Sequence, residues 1–301
     1  MNGPRKPPRV VLVTRSTWYE CLLATHGTHS QAEFFLRVRD ESIEPVFEQH
    51  GQFLAARSAV LQAIPVEWRR SQIARDDLDR FLFEPDDIVV AIGQDGLIAN
   101  TAKYLRGQFL LGVNPSPAHF PGVLVRLRPD EVGELLRAAA ADRAPHEHRT
   151  MAIAETDDGQ TVRALNEIFI GHASHQSAKY VLERAGSLES QSSSGVIVAT
   201  GTGATGWAAS IHRERRDAPA LPGGAERRLV YFAREAWPSA TTGTLMTAGI
   251  LDGDDELRMT SRMNEGGVVF GDGIEGDRIP FDWGRRLAVR IAPDTLRLVT
   301  R

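Results

Sequence analysis

The sequence predicts an α/β domain built on a parallel sheet, followed by a mainly antiparallel, β-sandwich-like domain. Three observations lead there. Up to Pro145, short β-branched runs alternate with helix-compatible stretches, and such alternation places helices on the faces of a parallel sheet. Beyond Pro145 one strand candidate follows another, and turn signals such as "DDGQ", "LDGDDE" and "FGDGIEG" separate many of them. The chain of 301 residues, 42% hydrophobic and 25% charged, is long enough for two packed cores and has an ordinary globular composition.

The first domain is Rossmann-like element by element. "RVVLVT" (9–14) is a short β-branched run, a first buried strand. Residues 30–69 carry helix-compatible stretches such as "SAVLQAI", ended by Pro65. A Pro-Asp turn then leads into a fully apolar strand at 88–92, a helix over "LIANTAKYL", and a third strand, "FLLGVN". "RPDEVGELLRAAAADRA" (128–144) reads as a helix with its acidic residues in the first turn, where the helix dipole favours them. The boundary falls near 145–150, giving 1–148 to the α/β domain and 149–301 to the β-rich one. The last strand candidate, "TLRLVT", is placed to pack back on the first domain.

The bulk numbers exclude several classes. A formal charge of −4 gives no broad attraction to nucleic acid or to an anionic membrane, and "HRERR" (212–216) reads as a solvated helix face. Cys21 is the single cysteine, which rules out an internal disulfide and a cysteine-built zinc site; it is expected to pack as a small apolar group. No apolar run approaches the roughly 18 residues a membrane span needs. "MNGPRKPP" is followed by a strand rather than a signal-peptide core, so the expected location is cytoplasmic. Short His pairs (His146 and His148, His172 and His175) lack a third ligand at metal-site spacing.

Three loops carry the chemistry. In "VVAIGQDGLIANTAKYL" a buried strand runs into Gly93-Gln94-Asp95-Gly96 and then a helix; backbone N–H groups in such a turn cradle phosphate, or the turn is simply tight. In "VRALNEIFIG" the pair Asn166-Glu167 interrupts an alternating strand; an amide beside a carboxylate suits a ribose diol or an adenine edge, or else faces solvent. In "VIVATGTGATGWAAS", Gly201, Gly203 and Gly206 spell the dinucleotide fingerprint. The helix that follows is short and basic, and "DAPALPGGAE" breaks the crossover that a βαβ unit needs, which argues against a redox site.

"GQDG", then "NE", then "TGTGATGW", in that order, resembles the NAD kinase family, with closest likeness to its mitochondrial-type branch. "RALNEIFIG", "SSGVIVATGTGATGWAASI" and "LLGVNPSPAHFPGVL" look like that branch's versions, including Trp207 where most NAD kinases have Tyr. The resemblance covers nearly the whole chain. It implies phosphorylation of the 2′-hydroxyl of the adenosine ribose of NAD by ATP, with Mg²⁺ or another divalent cation. Family members are commonly homodimers or homotetramers.

By that resemblance Asp95 accepts or orients the ribose hydroxyl, a task suited to a carboxylate acceptor. Gly96 allows close backbone approach, and Lys103 aligns with a family Arg and faces a phosphate. Asn166 and Glu167 hold the NAD ribose and base. Thr205, Gly206, Trp207 and Ser210 grip the adenosine end, with Trp207 as an apolar wall. The phosphate loop departs from the family's GGDGT: Gln94 adds a side chain to Gly93-Gln94, strained by about 1 kcal/mol if the backbone there is left-handed. Leu97 removes a hydroxyl, and Ser194 stands where many members have Asp. These departures keep two alternatives open: a catalytically weak or inactive nucleotide-binding regulatory relative, or a related lipid or sugar kinase.

Overall fold

The structure, a computed structural model, describes residues 7–301; the N-terminal stretch 1–6 of the leader reading lies outside the described residues. Two compact units emerge. One takes the chain up to Thr101, Gln108–Glu147 and Arg297–Arg301; the other takes Ala102–Gly107 and His148–Leu296.

In chain order the elements are β1 (Arg9–Thr14), α1 (Trp18–His26), α2 (His29–Arg37), α3 (Glu44–Ala63), β2 (Arg69–Ala74), β3 (Ile88–Ile92), α4 (Asp95–Ala102), β4 (Phe109–Val113), α5 (Val132–Ala140) and β5 (His146–Arg149). There follow β6 (Ala152–Thr156), β7 (Thr161–Ala164), β8 (Glu167–His172), β9 (Ala178–Arg184), β10 (Ser187–Ser193), β11 (Val196–Thr200), α6 (Trp207–Glu214), β12 (Arg228–Ala233) and β13 (Ala248–Asp252). The series closes with β14 (Leu257–Ser261), β15 (Gly267–Gly271), β16 (Ile274–Pro280), β17 (Arg286–Ile291) and β18 (Leu296–Val299).

The first unit is built on the sheet β2-β1-β3-β4-β18-β5, in which β1 pairs in parallel with β2 and β3, and β4 with β3 and β18. β3 and β4 are buried along their whole length, as strands covered on both faces must be. Val10, Leu12, Val90 and Leu111 meet Phe53 and Val60 of α3 and Leu136 of α5 in one core. The chain steps outward from β1 to β2 and then returns to the other side of β1 for β3. The winding therefore reverses between β1 and β3, and open α/β sheets bind ligands in the crevice at such a reversal.

The structure adds α1, whose start is fixed by a reciprocal capping box between Thr17 and Glu20. It also adds β2, a polar edge strand, "RRSQIA", of which Ile73 alone is buried. α3 ends at Ala63, ahead of Pro65. Cys21 is exposed on α1, because Tyr19 and Leu22 supply that helix's buried face, so the expectation of a packed cysteine is corrected.

The second unit stacks two six-stranded antiparallel sheets, β10-β9-β14-β17-β6-β7 and β13-β12-β11-β8-β15-β16. Their facing sides share one core in which Tyr180, Leu182 and Val289 of the first meet Ile168, Val196 and Val198 of the second. On the outer side of the second sheet α6 buries Ala208 among Phe169, Ile197 and Phe232. The basic end of α6 is not wholly a solvated face. Arg213 and Arg216 are exposed, but Arg215 donates to the carbonyls of Ala233 and Thr247 and lies over the Phe232 ring.

Candidate functional site

Within the first unit, the carboxyl ends of β1, β3 and β4 enclose a cavity of about 200 Å³ at the point where the winding reverses. The 93–97 loop supplies Gly93, Gln94, Gly96 and Leu97 to its lining, and the turn after β1 supplies Arg15 and Trp18. Sequence reasoning passed over Arg15-Ser16-Thr17-Trp18; its position at the tip of a parallel strand beside the later loop was the available signal.

Asp95 is held differently from its neighbours. Its Oδ1 accepts the backbone N–H of Val123 (3.1 Å), Leu124 (2.8 Å) and Val125 (3.1 Å), while Oδ2 accepts that of Val123 alone (2.9 Å). A carboxylate offers about four lone-pair sites, so Oδ2 keeps capacity for one more donor. The loop it grips is also pinned by Asn114, whose Nδ2 donates to Phe120 O (2.6 Å) and whose Oδ1 accepts from Ser116 N (2.9 Å).

The residue of positive φ in the 93–97 loop is Gly93, at 159° and near extended; Gln94 is not among the residues of positive φ and is exposed, so it carries no left-handed strain. Leu97 is buried at 3% exposure, and its Cδ2 lies 3.2 Å from where a Gly93 Cβ would stand. It packs inward against Gly93.

Within the second unit, three turns gather at one edge of one sheet: the end of β15, the start of β8 and the end of β11, with Gly271 opposite Ile168 and Ala199 opposite Glu167. Gly203 approaches the Asn166 backbone so closely that an added Cβ would stand 2.2 Å from Asn166 O. Asn166 O also accepts from Thr200 N at 2.9 Å. At Gly201 a Cβ would lie 1.9 Å from Gly223 O. These two glycines are therefore used for backbone packing.

Asp272 is the residue the sequence reading missed, hidden in "FGDGIEG" as an ordinary turn. At φ 54° its carboxylate accepts N–H groups from Leu165 (2.9 Å), Asn166 (2.7 Å) and Glu167 (3.3 Å), and its own N–H returns to Glu167 O at 3.0 Å. It thereby fixes the kink that presents the Asn166-Glu167 pair. Burial raises the Asp272 carboxyl to about 6, against the pull of those N–H donors and of Lys103. Burial, and then the Asp272 charge, push Glu167 up to about 7.

No hydrogen bond or ion pair engages the Glu167 carboxyl or the Asn166 side-chain amide among the described residues. Thr202 Oγ1, beside them in the glycine-rich turn, is buried without a partner. Trp207 is 36% exposed, stacked on Phe169 at 5.9 Å and 13°, with the Arg234 guanidinium 4.8 Å from its centroid. Thr205 Oγ1 donates to Thr202 O (3.0 Å), and Thr205, Gly206 and Ser210 are exposed on the same turn and helix start. Lys103 is drawn to this unit: its buried ammonium pairs with Asp277 (2.8 and 3.0 Å) and donates to Gly271 O (3.2 Å), rather than joining the 93–97 loop.

Among the described residues no group of three or more His, Cys, Asp or Glu is placed to hold a metal ion, and most of the acceptor capacity of Asp95 is spent on backbone.

The fold is shared with solved structures of an NADH kinase and an NAD kinase. The structure superposes on yeast NADH kinase complexed with NADH at TM-score 0.56 and 15% identity, covering 99% of this chain and 84% of that one. On the Archaeoglobus fulgidus NAD kinase in complex with ATP the values are 0.58 and 16%, covering 97% and 93%. In sequence the chain is similar to the NAD kinase of Methylococcus capsulatus, 34% identical over 133 residues, which are 41% of this chain and 44% of that protein. It is also similar to rat mitochondrial NAD kinase 2, 25% identical over 263 residues, 70% of this chain and 62% of that protein. The chain thus spans 44% and 62% of the length of these two curated relatives. No protein-family model matches it. The likeness to NAD kinases is therefore one of fold and of sequence, and the match to the mitochondrial type is the weaker of the two in identity.

Proposed function

We propose that the chain is an NAD kinase-like phosphotransferase, moving the γ-phosphoryl group of ATP to the 2′-hydroxyl of the adenosine ribose of NAD to give NADP. The observation that carries this reading is the second unit's edge. There Asp272 and Gly203 hold the backbone of an uncommitted amide and an uncommitted carboxyl raised to about 7, and the same sheet carries an exposed indole stacked on Phe169. Asn166 and Glu167 take the ribose hydroxyls. At neutral pH Glu167 is divided between its two protonation states, so it both donates and accepts there. Thr205, Gly206 and Ser210 line the adenosine side, and Trp207, backed by Phe169, gives the base a wall.

Asp95 accepts the 2′-hydroxyl on the free side of Oδ2 and aligns it for displacement; its backbone grip fixes the carboxylate in advance. ATP enters as its Mg²⁺ complex, so the metal arrives with the substrate's own phosphates, as that cation commonly does. Gly93, Gln94, Gly96 and Leu97 form the donor's loop, with Lys103 bracing the Asp272 turn. The reading includes a cytoplasmic enzyme, assembled as a homodimer or homotetramer; no helix among the described residues is long and apolar enough to cross a membrane.

Purified protein with ATP, Mg²⁺ and NAD is expected to form NADP in a coupled assay. Asp95→Asn should lower turnover by about 10²–10⁴ with little loss of NAD affinity. The engagement of Asp95 with the 123–125 backbone favours one second reading, a nucleotide-binding regulatory relative. Protein that binds NAD yet makes no NADP from ATP or polyphosphate, with NAD or NADH as acceptor, would establish that reading instead.

A further inference from the structure

The second unit carries another polar basin, of about 630 Å³, on the outer face of the sheet formed by β10, β9 and β14. None of its lining residues belongs to the candidate site. Lys179 of β9 faces out of the sheet, where alternate residues Ala178 and Tyr180 are buried in the core. The register Ser261 opposite Tyr180 puts Arg262 opposite Lys179, and Arg262 N donates to Lys179 O at 2.8 Å. Two cations thus stand opposite each other, one on β9 and one directly after the end of β14. Like charges directly opposite each other destabilise a sheet.

No acid among the described residues offsets that repulsion. Among the described residues no carboxylate pairs with Lys179 or Arg262, and the basin's lining contains no Asp or Glu. Elsewhere in this unit Arg228, Arg285 and Arg290 are each joined to an acid within 3 Å. Around the unmatched pair stand neutral donors: Ser192, opposite Lys179 on β10, the hydroxyls of Ser239 and Thr241, and Asn264. The 237–243 loop that brings the hydroxyls is laid along β10 by Trp237 N to Ser192 O (3.2 Å) and Gly243 N to Ser190 O (2.9 Å). Two exposed indoles complete the lining: Trp283, with the Arg262 guanidinium 5.7 Å from its ring centroid, and Trp237.

We propose that this basin binds a nucleoside monophosphate, its phosphate on Lys179, Arg262 and the loop hydroxyls, and its base against the tryptophans. A phosphate neutralises the cation pair with charge-assisted hydrogen bonds, and a planar base is the complement of an indole wall. The cavity lies within the size range of small-molecule sites.

The test uses the full chain, titrated calorimetrically with AMP, inorganic phosphate and adenosine, with AMP-induced shifts in Tm recorded in parallel. Lys179→Ala with Arg262→Ala is expected to weaken AMP and inorganic phosphate at this basin about tenfold or more. Trp283→Ala should weaken AMP and leave inorganic phosphate unchanged. Lys179→Glu should raise the Tm of the ligand-free protein, by pairing with Arg262, while removing this basin's share of the AMP-induced shift. Any AMP held at the candidate site is common to all these variants and cancels in the comparison. Identical AMP isotherms for wild type and the double variant would overturn the proposal, as would an unchanged ligand-free Tm in Lys179→Glu.

Discussion

Glu167→Gln tests the electrostatics of the candidate site without asking for catalysis. Burial and the neighbouring Asp272 raise this carboxyl from 4.5 to about 7 in the folded protein. A carboxyl with a raised folded value stabilises the fold while protonated. That contribution is complete below the unfolded value near 4.5 and is lost as pH rises through 7. A displacement of about 2.5 pH units at 1.36 kcal/mol each comes to about 3 kcal/mol, nearly all of it lost by pH 8. Glutamine keeps the shape of the protonated acid and cannot ionise. The variant should therefore match wild type within about 0.5 kcal/mol at pH 4.5 and exceed it by about 3 kcal/mol at pH 8. For a unit of this size that is about 6–12 °C in Tm. Thermal unfolding at the two pH values, followed by tryptophan fluorescence, reads the difference directly. A Glu167→Gln variant less stable than wild type at pH 8, or an offset equal at both pH values, would refute the argument that an ionised carboxyl is held there at a cost. NAD affinity should fall in the same variant, so stability and binding move in opposite directions.

Asp95→Ala should cost about 2–4 kcal/mol in denaturant unfolding, because the N–H groups of the buried Leu124 and Val125 lose their acceptor; limited proteolysis of the 118–124 segment should accelerate with it. Gly203→Ala should abolish NAD binding and destabilise by about 3 kcal/mol or more, since its Cβ would stand 2.2 Å from a backbone oxygen that cannot yield; calorimetry with NAD checks it. Leu97→Thr, the change toward the family's loop, should cost about 2 kcal/mol by placing a hydroxyl in an apolar site, visible as a lowered Tm even if turnover rises. Gln94→Gly alone should leave the fold unperturbed beyond about 1 kcal/mol.

What the sequence made legible follows burial. Strands sealed on both faces, such as "IVVAI" and "VIVAT", are apolar but for the terminal Thr200 and announce themselves. "RRSQIA", "SLESQSS" and "IEGDRIP" carry charge and hydroxyls on exposed faces; pairing with a neighbour makes them strands, and local pattern does not reveal that. The NE pair was visible because it breaks an alternation, and the glycine turn because of its spacing. Asp272 was not, since an Asp before Gly is what any turn would show; its role exists only once β15 lies beside β8. Lys103 was placed by its likeness to a family Arg; in the fold its ammonium pairs with Asp277, far along the sequence. The cation pair of Lys179 and Arg262 was invisible for the same reason: no window of sequence contains both.

The position of β18 has a consequence for biosynthesis. It lies beside β4 in the first unit's sheet, yet the ribosome makes it only after every strand of the second unit. Until then the hydrogen-bonding edge of β4 is bare on a growing polypeptide, a template for stray pairing. A nascent chain arrested before Leu296 should be a client for chaperones, and a circular permutant that moves β18 to just after β4 should fold with less aggregation than the natural order.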